Sequence, residues 1–172
     1  EYLTRINLMH AADPEADTPV KLGKRVAVIG GGNTAMDAVR TARRLGAERA
    51  MIVYRRSEEE MPARLEEVKH AKEEGIEFLT LHNPIRYEGD SNGQVRRMLL
   101  QRMKLGEPDA SGRRSPVAIE GDTVWIDVDE VIVSVGVSPN PLIPQSFSGL
   151  EVTSRGTIVV DNNTMQSAVK TI

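Results

Sequence analysis

The chain has 172 residues, 40% of them apolar and 27% charged, with a formal net charge of −3. That balance suits a globular domain able to bury a core, and it excludes a disordered chain and a strongly basic nucleic-acid or anionic-membrane binder. The absence of Cys and an aromatic content of 3% exclude disulfides, thiolate nucleophiles, zinc–thiolate and iron–sulfur sites, and stacking platforms for single-stranded nucleic acid.

No apolar run approaches the ~20 residues of a membrane span. Glu1 to Arg5 does not open a signal peptide, and the missing initiator Met is expected of a fragment of a longer, cytoplasmic chain. His10, His70 and His82 lie far apart and read as solvated or structural residues, with no metal site.

Residues 1–22 read as a leading linker, with a short helical turn at Leu3, Ile6 and Leu8 and a loop from Asp13 to Pro19. Arg25 to Ile29 is a β-branched apolar run and predicts a buried strand. Gly30-Gly31-Gly32 follows, and Asn33 to Leu45 predicts a helix with Ala35, Ala38, Val39, Ala42 and Leu45 on its apolar face, closed by Gly46. Ala50 to Tyr54 is a second strand. Pro62 opens a helix over 63–74 with Leu65, Val68 and Ala71 inward, and Ile76 to Leu81 is a third strand. This β-α-β-α-β order predicts a parallel sheet.

After Pro84 the rhythm changes. Strand-like runs at 85–88, 95–105 and 117–126 are separated by Gly-rich turns at 89–93 and 106–112, which predicts an antiparallel meander. Val131 to Gly136 returns to the parallel sheet, 137–149 is Pro- and Gly-rich, and Thr157 to Val160 is a last short strand. The expected organisation is a leading linker over 1–22, a nucleotide-binding domain over 23–149 and a departing segment over 150–172.

Gly30-Gly31-Gly32-Asn33-Thr34-Ala35 matches G-x-G-x-x-A. The first Gly permits a tight turn, the second lets a pyrophosphate lie against the backbone, and the small Ala35 allows close helix–strand packing. Exposed N–H groups at the helix start then face the phosphates, with side-chain help from Asn33 and Thr34. The second strand ends in Tyr54-Arg55-Arg56-Ser57. An Asp or Glu there would select the free ribose of NAD or FAD, whereas guanidinium groups suit the 2′-phosphate of NADP. The expected ligand is therefore NADPH. The competing reading has Arg55 and Arg56 paired with Glu58, Glu59 and Glu60.

Four segments carry a family resemblance: Gly-Gly-Gly-Asn-Thr-Ala-Met-Asp-Ala at 30–38, Tyr-Arg-Arg-Ser-Glu-Glu-Glu-Met-Pro-Ala at 54–63, Gly-Glu-Pro-Asp-Ala-Ser-Gly-Arg-Arg at 106–114 and Val-Ile-Val-Ser-Val-Gly at 131–136. Together they resemble the small (beta) subunit family of NADPH-dependent glutamate synthase. Its relatives include the NADH-dependent ferredoxin:NADP oxidoreductase large subunit and dihydropyrimidine dehydrogenase.

The resemblance implies an α/β, Rossmann-like three-layer NADPH domain of the flavoproteins that carry two dinucleotide-binding domains. Gly30, Gly31, Gly32, Asn33 and Thr34 would cradle the pyrophosphate, and Arg55 and Arg56 the 2′-phosphate, with Arg64 assisting unless Glu60 claims it. Glu67 would approach the nicotinamide carboxamide, and Gly136 would admit backbone near the nicotinamide ribose. It also implies FAD and iron–sulfur clusters outside these residues, an FAD domain in the same parent chain, and a larger glutamate synthase or ferredoxin-oxidoreductase partner subunit. Hydride would pass from nicotinamide to flavin without a protein acid–base group, and this segment alone would be inactive.

Two other readings compete: a stand-alone NAD(P)-binding regulatory module, and a self-contained short-chain dehydrogenase. The second needs a Tyr-x-x-x-Lys pair, and none of Tyr2, Tyr54 or Tyr87 has one.

Overall fold

Side-chain alternation along buried strands organises the protein into layers. In the computed structural model, which describes residues 1–108, 110 and 112–169, strand β1 (Arg25–Ile29) lies between β2 (Arg49–Tyr54) and β7 (Glu130–Val133). With β3 (Glu77–Thr80) beyond β2, the parallel order is β3-β2-β1-β7. Val26, Val28, Ala50 and Ile52 turn to one face, where α2 (Asn33–Arg44) and α3 (Leu65–Glu73) cover them. Ala27, Ile29, Met51 and Val53 turn to the other, against Met98, Leu100 and Val128.

Met98 and Leu100 belong to a second, antiparallel sheet, β4-β5-β6, formed by β4 (His82–Gly89), β5 (Val95–Pro108) and β6 (Arg114–Asp127). The three layers are thus helices, parallel sheet and meander, the α/β arrangement expected from the sequence. Both faces of β1 and β2 are covered, and that is why they read as continuous apolar runs rather than alternating ones.

Several details differ from the sequence expectation. The leading segment is no free linker: in α1 (Tyr2–Leu8) Ile6 is buried and Tyr2 and Leu3 pack on the helix-side core, and Ala11 beyond it is also buried. Helix α3 begins at Leu65, after a single 3-10 turn at Glu58–Glu60. Its inward stripe is Val68 and Ala71, while Leu65 opens the helix 82% exposed. Strand β6 runs from 114 to 127 but is interrupted by a register shift opposite Gln101. The amide of Gln101 spans the gap, donating to the carbonyls of Ile119 and Asp122 at 2.5 and 2.9 Å. Asp109 and Ser111 of the preceding turn, and Thr171 and Ile172, lie outside the described residues.

The chain divides into two compact units, Glu1–Val135 and Gly136–Ile172, so the division falls after Val135 rather than at 149. Within the second unit the Pro-rich stretch holds a short helix, α4 (Leu142–Ser146). The expected strand at 157–160 is present only as single bridges, Val152 to Ile158 and Val160 to Ser167. Asp161 closes the following turn by accepting from the N–H groups of Asn163 and Thr164, both at 2.9 Å.

At the start of β7, Glu130 accepts the N–H of Gly23 at 2.9 Å. A Cβ on Gly23 would lie 2.7 Å from that of Glu130, so the segment can approach only as glycine. Burial pushes the Glu130 carboxyl above its usual range, and burial together with the Glu130 charge pushes the Tyr2 hydroxyl up to about 12. A carboxyl raised in the folded state favours folding below its unfolded value of about 4.3 and loses that contribution as pH rises through the folded value. Glu130→Gln keeps an acceptor for Gly23 and removes the buried charge. Its stability relative to wild type, read by urea unfolding, is expected to improve between pH 4 and pH 7; a constant or falling difference would contradict this account.

Candidate functional site

The C-terminal edge of the parallel sheet brings the glycine turn, the end of β2 and the residue after β7 together. Gly30 sits at φ +144°, and a Cβ there would stand 2.3 Å from the Ser134 carbonyl oxygen. A Cβ on Gly31 would stand 2.7 Å from the Tyr54 ring. The fold itself therefore demands glycine at both positions. Gly32 is different. Its φ is −93°, and the nearest atom to a Cβ, Pro62 Cγ, is 4.0 Å away. Among the described residues nothing crowds a side chain there, so its backbone lies open.

Helix α2 starts at this point with no side-chain cap and no acidic residue in its first turn. Among the described residues, the N–H groups of Gly32, Asn33 and Thr34 have no protein acceptor. Free N–H groups and the positive end of the helix dipole favour an anion here. Ala35, fully buried, provides the close helix–strand contact that the motif anticipates.

Residues 55–64 form the second wall. The loop is tied to the turn at three places: the Tyr54 hydroxyl donates to the Glu60 carbonyl (2.9 Å), the Ala63 N–H to the Gly31 carbonyl (3.1 Å) and the Arg64 N–H to Asn33 Oδ1 (2.9 Å). Arg55 and Arg64 are exposed, and among the described residues neither guanidinium has a hydrogen-bond or ion-pair partner. Among the described residues Arg55 makes no pair with the acidic run. Glu58 bonds Lys72 at 2.5 Å, and Glu60 takes the N–H and Nε of Arg114 at 3.1 and 3.2 Å.

Two expected ligand contacts are otherwise engaged. Arg56 is 6% exposed, and its Nε donates to the Arg114 carbonyl at 2.8 Å. Glu67 Oε2 accepts from Arg40 Nη1 at 2.6 Å, on α2 about two turns past the glycines. The Ser57 hydroxyl oxygen is shielded from solvent. Thr34 is exposed in the first turn of α2, while Gly136 belongs to the second unit, with φ +93°. The clasp of Arg114 on Glu60 was not anticipated, because no local pattern links residues 54 positions apart. Among the described residues, no cluster of His, Asp or Glu could hold a metal ion.

Residues 4–172 match the family model described as pyridine nucleotide-disulphide oxidoreductase. The chain is 46% identical over 142 residues to the NADPH-Fe(3+) oxidoreductase subunit beta of Geobacter sulfurreducens, covering 82% of this chain and 21% of that protein. It is 42% identical over 137 residues to the glutamate synthase [NADPH] small chain of Escherichia coli, covering 80% and 29%. The Azospirillum brasilense small chain is 41% identical over 170 residues, 95% of this chain and 35% of that one. The chain thus spans between a fifth and about a third of the length of these relatives.

Among solved structures, T. acidophilum thioredoxin reductase superposes with a TM-score of 0.66 at 22% identity, covering 85% of this chain and 41% of that chain. Mycobacterium tuberculosis FprA in complex with NADPH superposes with a TM-score of 0.60 at 21% identity, covering 84% and 44%.

The three glycines are separable by experiment. Gly30→Ala is expected to lower the melting temperature sharply, since both the positive φ and the Ser134 carbonyl oppose a side chain. Gly32→Ala is expected to melt within a few degrees of wild type yet lose dinucleotide affinity by about tenfold or more. Thermal melts and titration calorimetry on both variants check this; a Gly32→Ala protein that binds like wild type would make the third glycine incidental.

Proposed function

The chain belongs to the pyridine nucleotide-disulphide oxidoreductase family, and from that premise we propose that it is the NADPH-binding portion of a larger FAD-dependent oxidoreductase. The observation that carries the choice of nucleotide is the exposed Arg55 guanidinium just past the second strand, which has no partner among the described residues. A cation left free where the adenosine ribose meets such a sheet suits a 2′-phosphate and not a bare ribose. The relatives named NADPH-Fe(3+) oxidoreductase subunit beta and glutamate synthase [NADPH] small chain support the same reading.

In this reading the N–H groups of Gly32, Asn33 and Thr34 receive the pyrophosphate, and Gly31 holds the turn through the bond from Ala63 to its carbonyl. Arg55 takes the 2′-phosphate, and Arg64, tethered to Asn33, adds a second positive charge beside it. Arg56 is reassigned from phosphate ligand to strut, because it is buried and bound to the Arg114 carbonyl. Glu67 is reassigned from the nicotinamide to the α2–α3 contact, because Arg40 holds its carboxylate.

The nicotinamide supplies a hydride and the flavin receives it; the protein's part is to position and orient. The flavin is proposed to be held by other parts of a longer chain, given how little of its relatives this chain spans. With no Cys in the sequence, iron–sulfur ligands of the whole protein would also lie elsewhere. The names "small chain" and "subunit beta" support a larger partner subunit.

Titration calorimetry with NADPH and NADH tests the assignment. A charge-assisted hydrogen bond contributes roughly 1.5–3 kcal/mol, so NADPH is expected to bind at least about tenfold more tightly. Arg55→Ala is expected to remove most of that preference while leaving NADH affinity unchanged. Equal affinity of the wild-type protein for both nucleotides would overturn the NADPH reading.

A further inference from the structure

We infer that Arg114 is a specificity-determining residue for the nucleotide: it holds the Glu60 carboxylate away from the arginines that read the 2′-phosphate. The inference rests on the NADPH reading above and adds a residue from a different layer of the fold.

The phosphate-reading segment has an awkward composition. Arg55 and Arg64 flank three consecutive glutamates, Glu58, Glu59 and Glu60. Carboxylates so near in sequence compete with an incoming phosphate for the same guanidinium groups, because both are planar or tetrahedral oxyanions that pair bidentately with Arg. A free Glu60 is within five residues of each arginine. Yet among the described residues both arginines are unpartnered, and the glutamates that form ion pairs form them with cations from other elements. Lys72 on α3 holds Glu58, and Arg114 at the start of β6 holds Glu60.

The Arg114 contact is the more committed of the two. It uses a backbone N–H and a side-chain Nε on the two oxygens of one carboxylate, at 3.1 and 3.2 Å. The Glu60 side chain is only 12% exposed, so its charge is partly shielded and the pair is less screened than a surface one. The Arg114 carbonyl meanwhile accepts Arg56 Nε at 2.8 Å, so the neighbour of Arg55 is fixed from the same point. The Glu60 carbonyl accepts the Tyr54 hydroxyl, and the Tyr54 ring lies against Gly31. Arg114 thus reaches the glycine turn through Glu60 and Tyr54 without bonding to it.

Sequestration predicts an effect confined to the phosphate. Once the Arg114 side chain is removed, Glu60 keeps only the backbone N–H of residue 114, loses its cationic partner and turns to Arg55 or Arg64, so the 2′-phosphate must displace it; the pyrophosphate cradle at Gly32, Asn33 and Thr34 is untouched. A role in loop order alone predicts something else, since loosening the loop harms binding whether or not Glu60 is charged. The two accounts separate on the double variant. Removing the Glu60 charge rescues the loss of Arg114 only if the carboxylate is the competitor.

The test uses the full chain that contains this segment and two probes of the adenosine end, 2′,5′-ADP and 5′-AMP, titrated by calorimetry with thermal melts alongside. Wild type is expected to prefer 2′,5′-ADP. Arg114→Ala is expected to reduce that preference by about three- to tenfold with 5′-AMP affinity unchanged, a modest change in keeping with a partly exposed pair. Glu60→Gln is expected to hold the preference at or above wild type, and the double variant Glu60→Gln/Arg114→Ala to recover it. Should Arg114→Ala not fold, Arg114→Gln, which keeps a donor and drops the charge, carries the same expectations.

A wild-type protein without preference overturns the NADPH reading itself. A wild-type protein with preference but an unchanged Arg114 variant overturns the inference. So does a variant that loses both probes equally, or a double variant that stays as low as Arg114→Ala.

Discussion

Three strands end at one edge of the parallel sheet with no room for a side chain between them. The carbonyl of Ser134, just past β7, sits where a Cβ of Gly30 would lie, and the Tyr54 ring sits where a Cβ of Gly31 would lie. The bonds Gly30 N–H to Val53 carbonyl and Ser134 N–H to Ile29 carbonyl close the same corner. This close approach holds β1, β2 and β7 in register past their last paired residues and aims α2 so that its unbonded N–H groups face outward. Gly32, the only one of the three that the corner does not need, is left as bare backbone at the mouth. The pyrophosphate binding proposed for this site would rest on that corner rather than on any one side chain.

The meander serves two purposes. Met98, Leu100 and Val128 cover the sheet face opposite the helices, and burial of apolar surface on both sides stabilises β1 and β2 as central strands. Its β6 strand also delivers Arg114 to the loop after β2, although nothing in the parallel sheet's own connectivity brings the two together. On the helix side, Arg40 bonds both Glu67 and Glu74, and Arg44 adds a second contact to Glu74. These bonds hold α2 and α3 side by side, and the Arg40 network keeps the Glu74 carboxyl below its usual range despite partial burial. Arg40 and Arg44 are thus engaged with α3 and Arg43 with the carbonyls of Ala47 and Glu48, so among the described residues the unpaired positive charge near the glycine turn comes from Arg55 and Arg64.

The elements around the glycine turn were legible in the sequence because local forces set them. A five-residue β-branched run at 25–29, three glycines and an amphipathic stretch from Asn33 match the observed β1, turn and α2 to within a residue. The meander was legible from its turns. The beginning of α3 is not legible, because Pro62 is a good helix opener in isolation, whereas the N–H groups of Ala63 and Arg64 bond Gly31 and Asn33 and Arg64 is extended. The leading segment reads as a linker because Leu3 and Ile6 alone do not reveal the core cluster on which they pack.

By itself the sequence determined the layer order, the glycine turn between β1 and α2 and the presence of arginines at the end of the second strand, all properties of residues near one another along the chain. Only the tertiary structure decided which arginine is free. Arg55 and Arg56 are adjacent and chemically identical, and the bend that follows β2 gives them opposite surroundings. One is left in solvent, and the other is buried against the Arg114 carbonyl. In the same way only packing assigned Glu67 to Arg40 and Glu60 to Arg114. Ion pairing depends on distance in space, and charges 27 and 54 residues apart leave no periodic trace in a sequence.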